Sequence, residues 1–179
     1  MDQRLNPSTS VPPTGEAGKP VLTPTMLPSG PDIEFKNASF FARHSVLPSP
    51  EDVCAAAAVQ HPGCNVYGER PLPVKFVSLG LIVKFGSRVH SAEGQCLWAM
   101  RHLLPGRVPV PEIYGWKTEH RESQQFVFLY MELVAGITLE AAWPTLSESS
   151  KLTVTRDMAS ILAALRSLRQ APNDQFVGE

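Results

Sequence analysis

The order of patterns along the chain predicts an α+β fold with a small, mostly antiparallel sheet. Three observations carry this. Two runs rich in β-branched and aromatic residues, Val74–Leu79 and Leu81–Gly86, stand either side of a single glycine. A second pair, Ile113–Trp116 and Gln125–Met131, brackets a polar stretch from Thr118 to Ser123 that reads as a turn. Segments with helical spacing lie before, between and after these pairs.

The elements follow in order. Between Met1 and Gly30 the chain is rich in Pro, Ser, Thr and Gly and has no aromatic residue. Nine of the 17 prolines fall in the first 50 residues, a composition that buries too little apolar area to offset the entropy of ordering. Residues 1–30 are therefore expected to be a disordered leader. Ser49 is expected to cap a first helix, with Pro50 in its first position and Glu51 and Asp52 favoured by the dipole. That helix should end at Pro62-Gly63. Gly80, between the first two strands, suits a tight turn or a bulge equally. Ser91 is expected to cap a second helix with Glu93, Leu97, Met100 and Leu104 on one stripe, closed by Pro105-Gly106. Val108-Pro109-Val110-Pro111 is an extended connector, because the residue before a proline is pushed out of the α region. The run Gln125–Met131 is nearly all apolar, which suits a central strand. A long last helix starts at Ser147 and carries Leu152, Val154, Met158, Ile161, Leu162, Leu165 and Leu168 at helical spacing.

Composition narrows the function. With 179 residues there is room for one ordinary domain. Net charge is −1, with 16 basic and 17 acidic residues, which speaks against a dedicated nucleic-acid binder. No apolar run approaches the roughly 20 residues that span a bilayer, and no apolar leader opens the chain, so neither membrane nor secretion is expected. Cys54, Cys64 and Cys96 lack metal-type spacing and suit a reducing, cytoplasmic setting.

The residues that suggest chemistry are Lys84 and Glu93. Lys84 sits on an apolar strand, which holds its ammonium toward one face. Glu93 falls nine residues later, in the first turn of the next helix. A helix packed over the sheet would let this carboxylate fix the ammonium, and a fixed lysine neutralises nucleotide phosphate charge. The strand ending at Met131 then breaks into Glu132-Leu133-Val134-Ala135-Gly136, the form of a hinge whose backbone groups are free to pair with an adenine edge.

Taken together, residues 38–179 resemble the aminoglycoside phosphotransferase family, a protein-kinase-like group, and within it the fungal-type members. The resemblance rests on Ser39-Phe40-Phe41, Leu47–Val53, Leu81–Gly86, Glu93–Leu97, Val108–Gly115, Met131–Leu139 and Leu165–Arg169. It implies a kinase-like small lobe over 31–134, with its N-terminal helix, followed over 135–179 by the hinge and the first helix of a truncated large lobe. It also implies that Lys84 meets the ATP phosphates and Glu93 anchors Lys84. Ile82 would line the adenine pocket, with Met131 at its back. The Glu132 carbonyl and the Val134 amide would be the hinge contacts. Family members transfer the γ-phosphate of ATP, with magnesium, to a hydroxyl of a small molecule.

Two parts of that pattern are missing. No Gly-rich phosphate loop precedes Lys84. None of His44, His61, His90, His102 or His120 is followed by the Asp of a catalytic loop, and Arg156-Asp157 lies within the last amphipathic segment. The chain alone is thus expected not to transfer phosphate. The alternative expectation is a non-enzymatic binding or regulatory protein on a partial kinase fold.

Overall fold

The structure, a computed structural model, describes residues 14–15, 18–66, 68, 70–121 and 124–170. Its main sheet has five antiparallel strands in the order β3-β6-β7-β5-β4. These are β3 (Ile33–Glu34), β4 (Leu72–Phe76), β5 (Leu81–Gly86), β6 (Ile113–Arg121) and β7 (Gln124–Glu132). The strand β7 is the middle one, and its residues Phe126 to Tyr130 are all buried, as the unbroken apolar run predicts. Between β4 and β5 the chain makes one 3-10 turn over Val77–Leu79 and closes it with Gly80 at φ 60°, ψ 32°. That left-handed conformation suits glycine, so the turn is the outcome of the two readings.

The polar stretch expected to turn after Thr118 instead stays extended as far as Arg121. Thr118, Glu119, His120 and Arg121 pair with Val127, Phe126, Gln125 and Gln124. A well-formed partner strand supplies the ladder, and local polarity does not prevent pairing. Residues 122 and 123 lie outside the described residues.

Alternation gives the sheet two apolar faces. On one, Leu72, Val74, Leu81, Val83, Phe85, Phe126, Phe128 and Tyr130 pack with Val53, Cys54 and Ala57 of α1 (Pro50–Gln60) and with Phe40 and Leu47. Helix α1 begins as expected. Ser49 Oγ accepts from the Asp52 amide at 3.2 Å, and the Ser49 amide donates to Asp52 Oδ2 at 3.0 Å, a complete capping box. The Ser49 hydroxyl also donates to Asp52 Oδ2 at 2.8 Å, and this bond, together with that from the Ser49 amide, holds the Asp52 carboxyl below its ordinary value.

The other face carries Trp116, Val127, Leu129 and Met131, with Val89 beside them. Helix α2 (Ser91–Leu103) lies over it. The cap of α2 differs from expectation. His90 is the N-cap and Ser91 the first helical residue, and no side chain caps the end. Of the expected stripe, Leu104 is fully buried just past the helix and Met100 packs beside it, while within the helix the buried positions are Gly94, Ala99 and Leu103.

Two helices follow β7, a single turn α3 (Leu139–Ala142) and the long α4 (Glu148–Ser167), where Ser147 Oγ accepts from the Ser150 amide at 3.1 Å. Part of the apolar stripe of α4 is covered: Ala164, Ile161 and Leu165 pack on Leu104 and Val108. Leu152, Met158 and Leu162 remain exposed.

The leader expectation covers residues 1–30, only part of which the structure describes. Residues 1–13, 16 and 17 lie outside the described residues. Within 18–30 the chain has structure, contrary to expectation. Strand β2 (Lys19–Leu22) pairs with β1 (Thr14–Gly15) and, in parallel, with β8 (Arg169–Gln170). The Pro28 carbonyl accepts from Gln95 Nε2 at 2.8 Å, and the Gly30 carbonyl accepts from Trp116 Nε1 at 2.9 Å. Composition measures only what a segment buries by itself. Here the partners come from α2 and β6, more than 60 residues away.

Candidate functional site

Strand β5 buries Leu81, Val83 and Phe85 and turns Ile82 and Lys84 to the opposite face, where α2 lies. In the ladder Lys84 stands opposite Leu129 and Ile82 opposite Met131, so four side chains of β5 and β7 share that face. Glu93 approaches from the first turn of α2. Lys84 Nζ donates to Glu93 Oε2 at 2.5 Å. The two side chains are 37% and 39% exposed, so water reaches the pair. At this exposure an ion pair contributes about 0–1 kcal/mol to stability. Its consequence is positional: one ammonium is held at a known point on a strand, on a side chain that solvent still reaches.

Gly94 brings the helix close enough for this pair, and the sequence reading missed it. A Cβ at position 94 would lie 2.8 Å from Trp116 Cε3 and 3.3 Å from Leu129 Cδ2. The backbone of α2 therefore rests directly on the indole and on the leucine opposite Lys84. A signal was present, because a glycine inside a helical pattern costs about 1 kcal/mol against alanine and asks for a packing reason.

The end of β7 is tied on both sides. The Glu132 amide donates to the Glu112 carbonyl at 2.8 Å, and the Leu133 amide donates to the Gly80 carbonyl at 2.9 Å. Glu132 Oε2 accepts from the Glu112 amide at 3.1 Å. Glu112 in turn accepts from Ser39 Oγ at 2.5 Å and pairs with Arg101 of α2 at 3.3 Å. Tyr114 completes this knot. Burial pushes its phenol above the ordinary value, and a hydrogen bond with Ser39 works the other way. Beyond Leu133 the chain leaves the sheet. Val134 is exposed, as are the residues from Ala135 to Ala141.

The structure thus brings Ile82, Lys84, Glu93 and Met131 to one face, with Glu132 at the end of the same strand as Met131 and Val134 past its end. Of the three tryptophans, Trp116 is buried, Trp98 stacks on His102 with centroids 4.0 Å apart, and Trp143 lies under Lys151. Cys96 is exposed on α2. Among the described residues no group of three His, Cys, Asp or Glu side chains is placed to hold a metal ion. None of the described helices is long and apolar enough to cross a membrane.

A family model described as a phosphotransferase enzyme family matches residues 80–179, a span that contains the strand lysine, the helix glutamate and the end of β7. No curated protein and no solved structure matches the chain.

Proposed function

Because the chain belongs to the phosphotransferase enzyme family, matched over residues 80–179, we propose that it carries the nucleotide-binding lobe of an ATP-dependent small-molecule kinase. The single observation that carries the reading is the pair Lys84–Glu93, 2.5 Å apart between β5 and α2. In this reading the Lys84 ammonium binds the α- and β-phosphates, and Glu93 keeps it from swinging away. Ile82 and Met131, opposite each other across the β5–β7 ladder, line the adenine pocket. The adenine edge meets the Glu132 carbonyl and the Val134 amide. Residues 31–134 form this lobe, and 135–179 supply the hinge and the first helices of a second lobe.

The fit to a nucleotide phosphate is supported by the Lys84 side chain, which stays 37% exposed beside Glu93. Magnesium, which the family uses, finds no cluster of three His, Cys, Asp or Glu side chains among the described residues. Nor do these 179 residues include a His followed by the Asp that would orient an acceptor hydroxyl. The reading is therefore that this stretch binds ATP and does not by itself transfer phosphate to a small-molecule hydroxyl. Calorimetric titration of the chain with Mg–ATP tests it. Binding that falls at least tenfold in Lys84→Met supports the reading. No heat with the unaltered chain, or equal binding by the variant, overturns it.

A further inference from the structure

The segment Pro28–Glu34 lies across both parts that must stay together for Lys84 to meet Glu93. The Pro28 carbonyl holds the Gln95 side chain on α2, at 2.8 Å. Two residues on, the Gly30 carbonyl holds the indole N–H of Trp116, at 2.9 Å. Trp116 is fully buried and is the ring on which Gly94 rests. The grip continues along the edge of the sheet. Ile33 pairs with Trp116 and Glu34 with Gly115, and Asp32 Oδ1 accepts from the Thr118 amide at 3.0 Å. Strand β2, just upstream, touches α2 as well. One continuous piece of chain thus fastens the helix and the floor beneath it.

We propose that this segment is a positioning strap for the phosphate-binding pair, with Gln95 as its positioning residue on α2. Magnitudes support this assignment. The Lys84–Glu93 pair is more than a third exposed and is worth too little to hold a helix in place. The N-terminal cap of α2 has no side-chain hydrogen bond to steady it. Glu93 and Gln95 are two residues apart, about 200° around the helix, so they lie on nearly opposite sides. A pull on Gln95 from the strap side therefore sets how close Glu93 comes to the sheet. Pro28 and Pro31 limit the conformations the strap gives up on binding, which lowers the entropic cost of the grip. Releasing the strap's hold on Gln95 frees α2 to lift from Trp116, and Glu93 loses Lys84 while β4 to β7 stay paired.

The effect on nucleotide binding rests on the function proposed above, but the geometry can be tested without it. The readout is the rate at which an acylating reagent labels Lys84, followed by mass spectrometry and normalised to exposed Lys75 on β4. Gln95→Leu keeps a helix-compatible side chain and removes the donor. Lys84 labelling should rise about fivefold, the scale of one lost hydrogen bond. Gln95→Lys restores a donor toward Pro28 and should return labelling toward the original rate. Asp32→Ala, at the exposed far end of the strap, should raise labelling in the same direction by less, and it serves if Gln95→Leu unfolds. Unchanged Lys84 labelling in Gln95→Leu and Asp32→Ala overturns the strap, as does a rise that Gln95→Lys fails to reverse. Mg–ATP titration of the same proteins separates the two readings. A strap that alters labelling in a chain that never binds ATP leaves the strap standing and removes the function.

Discussion

Trp116 occupies the space that any side chain at Gly94 would need: a Cβ there would lie 2.8 Å from Cε3 of the indole. The ring cannot easily yield. It is fully buried, its N–H is held by the Gly30 carbonyl, and Phe35 packs edge-on with centroids 5.7 Å apart. The first prediction follows from this contact. Gly94→Ala should destabilise the protein by about 1–3 kcal/mol, the range for overpacking a filled core. Helix propensity alone predicts the opposite sign, a gain of about 1 kcal/mol. Chemical denaturation of the two proteins decides between them. Stability equal to or above the unaltered chain would mean that α2 does not rest on Trp116.

The ion pair leads to a second prediction in which stability and binding part company. Glu93→Gln keeps the shape of the side chain and removes its charge. Because both partners are more than a third exposed, the loss of stability should stay below about 1 kcal/mol. If Lys84 meets phosphate, Mg–ATP affinity should nevertheless fall by about tenfold, since an unanchored lysine loses orientation. A large drop in melting temperature with no change in binding would reverse the assignment and make the pair a structural one.

A third prediction concerns pH and α1. Hydrogen bonds from Ser49 hold the Asp52 carboxyl below its ordinary value in the folded protein. For a carboxylate lowered in this way, the stabilisation is present above the unfolded value, about 3.9, and is lost as pH falls through the folded value. Ser49→Ala removes the larger cause, the hydroxyl's hydrogen bond to Asp52 Oδ2, and leaves that of the backbone amide. The variant should therefore be less stable near neutrality, and the gap in melting temperature to the unaltered protein should narrow in acid to the part due to the lost bond from the Asp52 amide, which does not titrate. Parallel curves at all pH values would show that the capping box contributes no linkage.

What was legible in the sequence divides along one physical line. Lys84 and Glu93 could be found because alternation places one on a strand face and the dipole favours the other in a helix's first turn. The short connection between them leaves few ways to separate the two. Ser49 could be read as a cap because its hydroxyl acts within three residues, although the same signal misplaced the cap of α2 at Ser91. The grip of Pro28 on Gln95 and of Gly30 on Trp116 links residues 67 and 86 positions apart, and no local pattern records such a partner. The same limit explains β6. Its polar end looks like a turn until β7 is placed beside it. It also explains α4, whose stripe announces an apolar face without saying how much of it this chain covers.

The last prediction concerns Tyr130. It is fully buried in the middle strand, and among the described residues its hydroxyl has no hydrogen-bond partner. Burial is the main reason its phenol is pushed well above the ordinary value, with the Glu119 carboxylate adding to the effect. The sign is that of a neutral acid favoured by the fold. Stability is fully present below the unfolded value, about 10, and is lost as pH rises through the folded one. Tyr130→Phe removes both the alkaline loss and the unpaired hydroxyl. Leaving a buried polar group unsatisfied costs about 1–3 kcal/mol, so the variant should be more stable at neutral pH by an amount of that order. Denaturation at pH 7 and at alkaline pH measures both effects. A variant less stable than its parent at pH 7 would mean that the hydroxyl has a partner, and would direct attention to water held between β7 and α1.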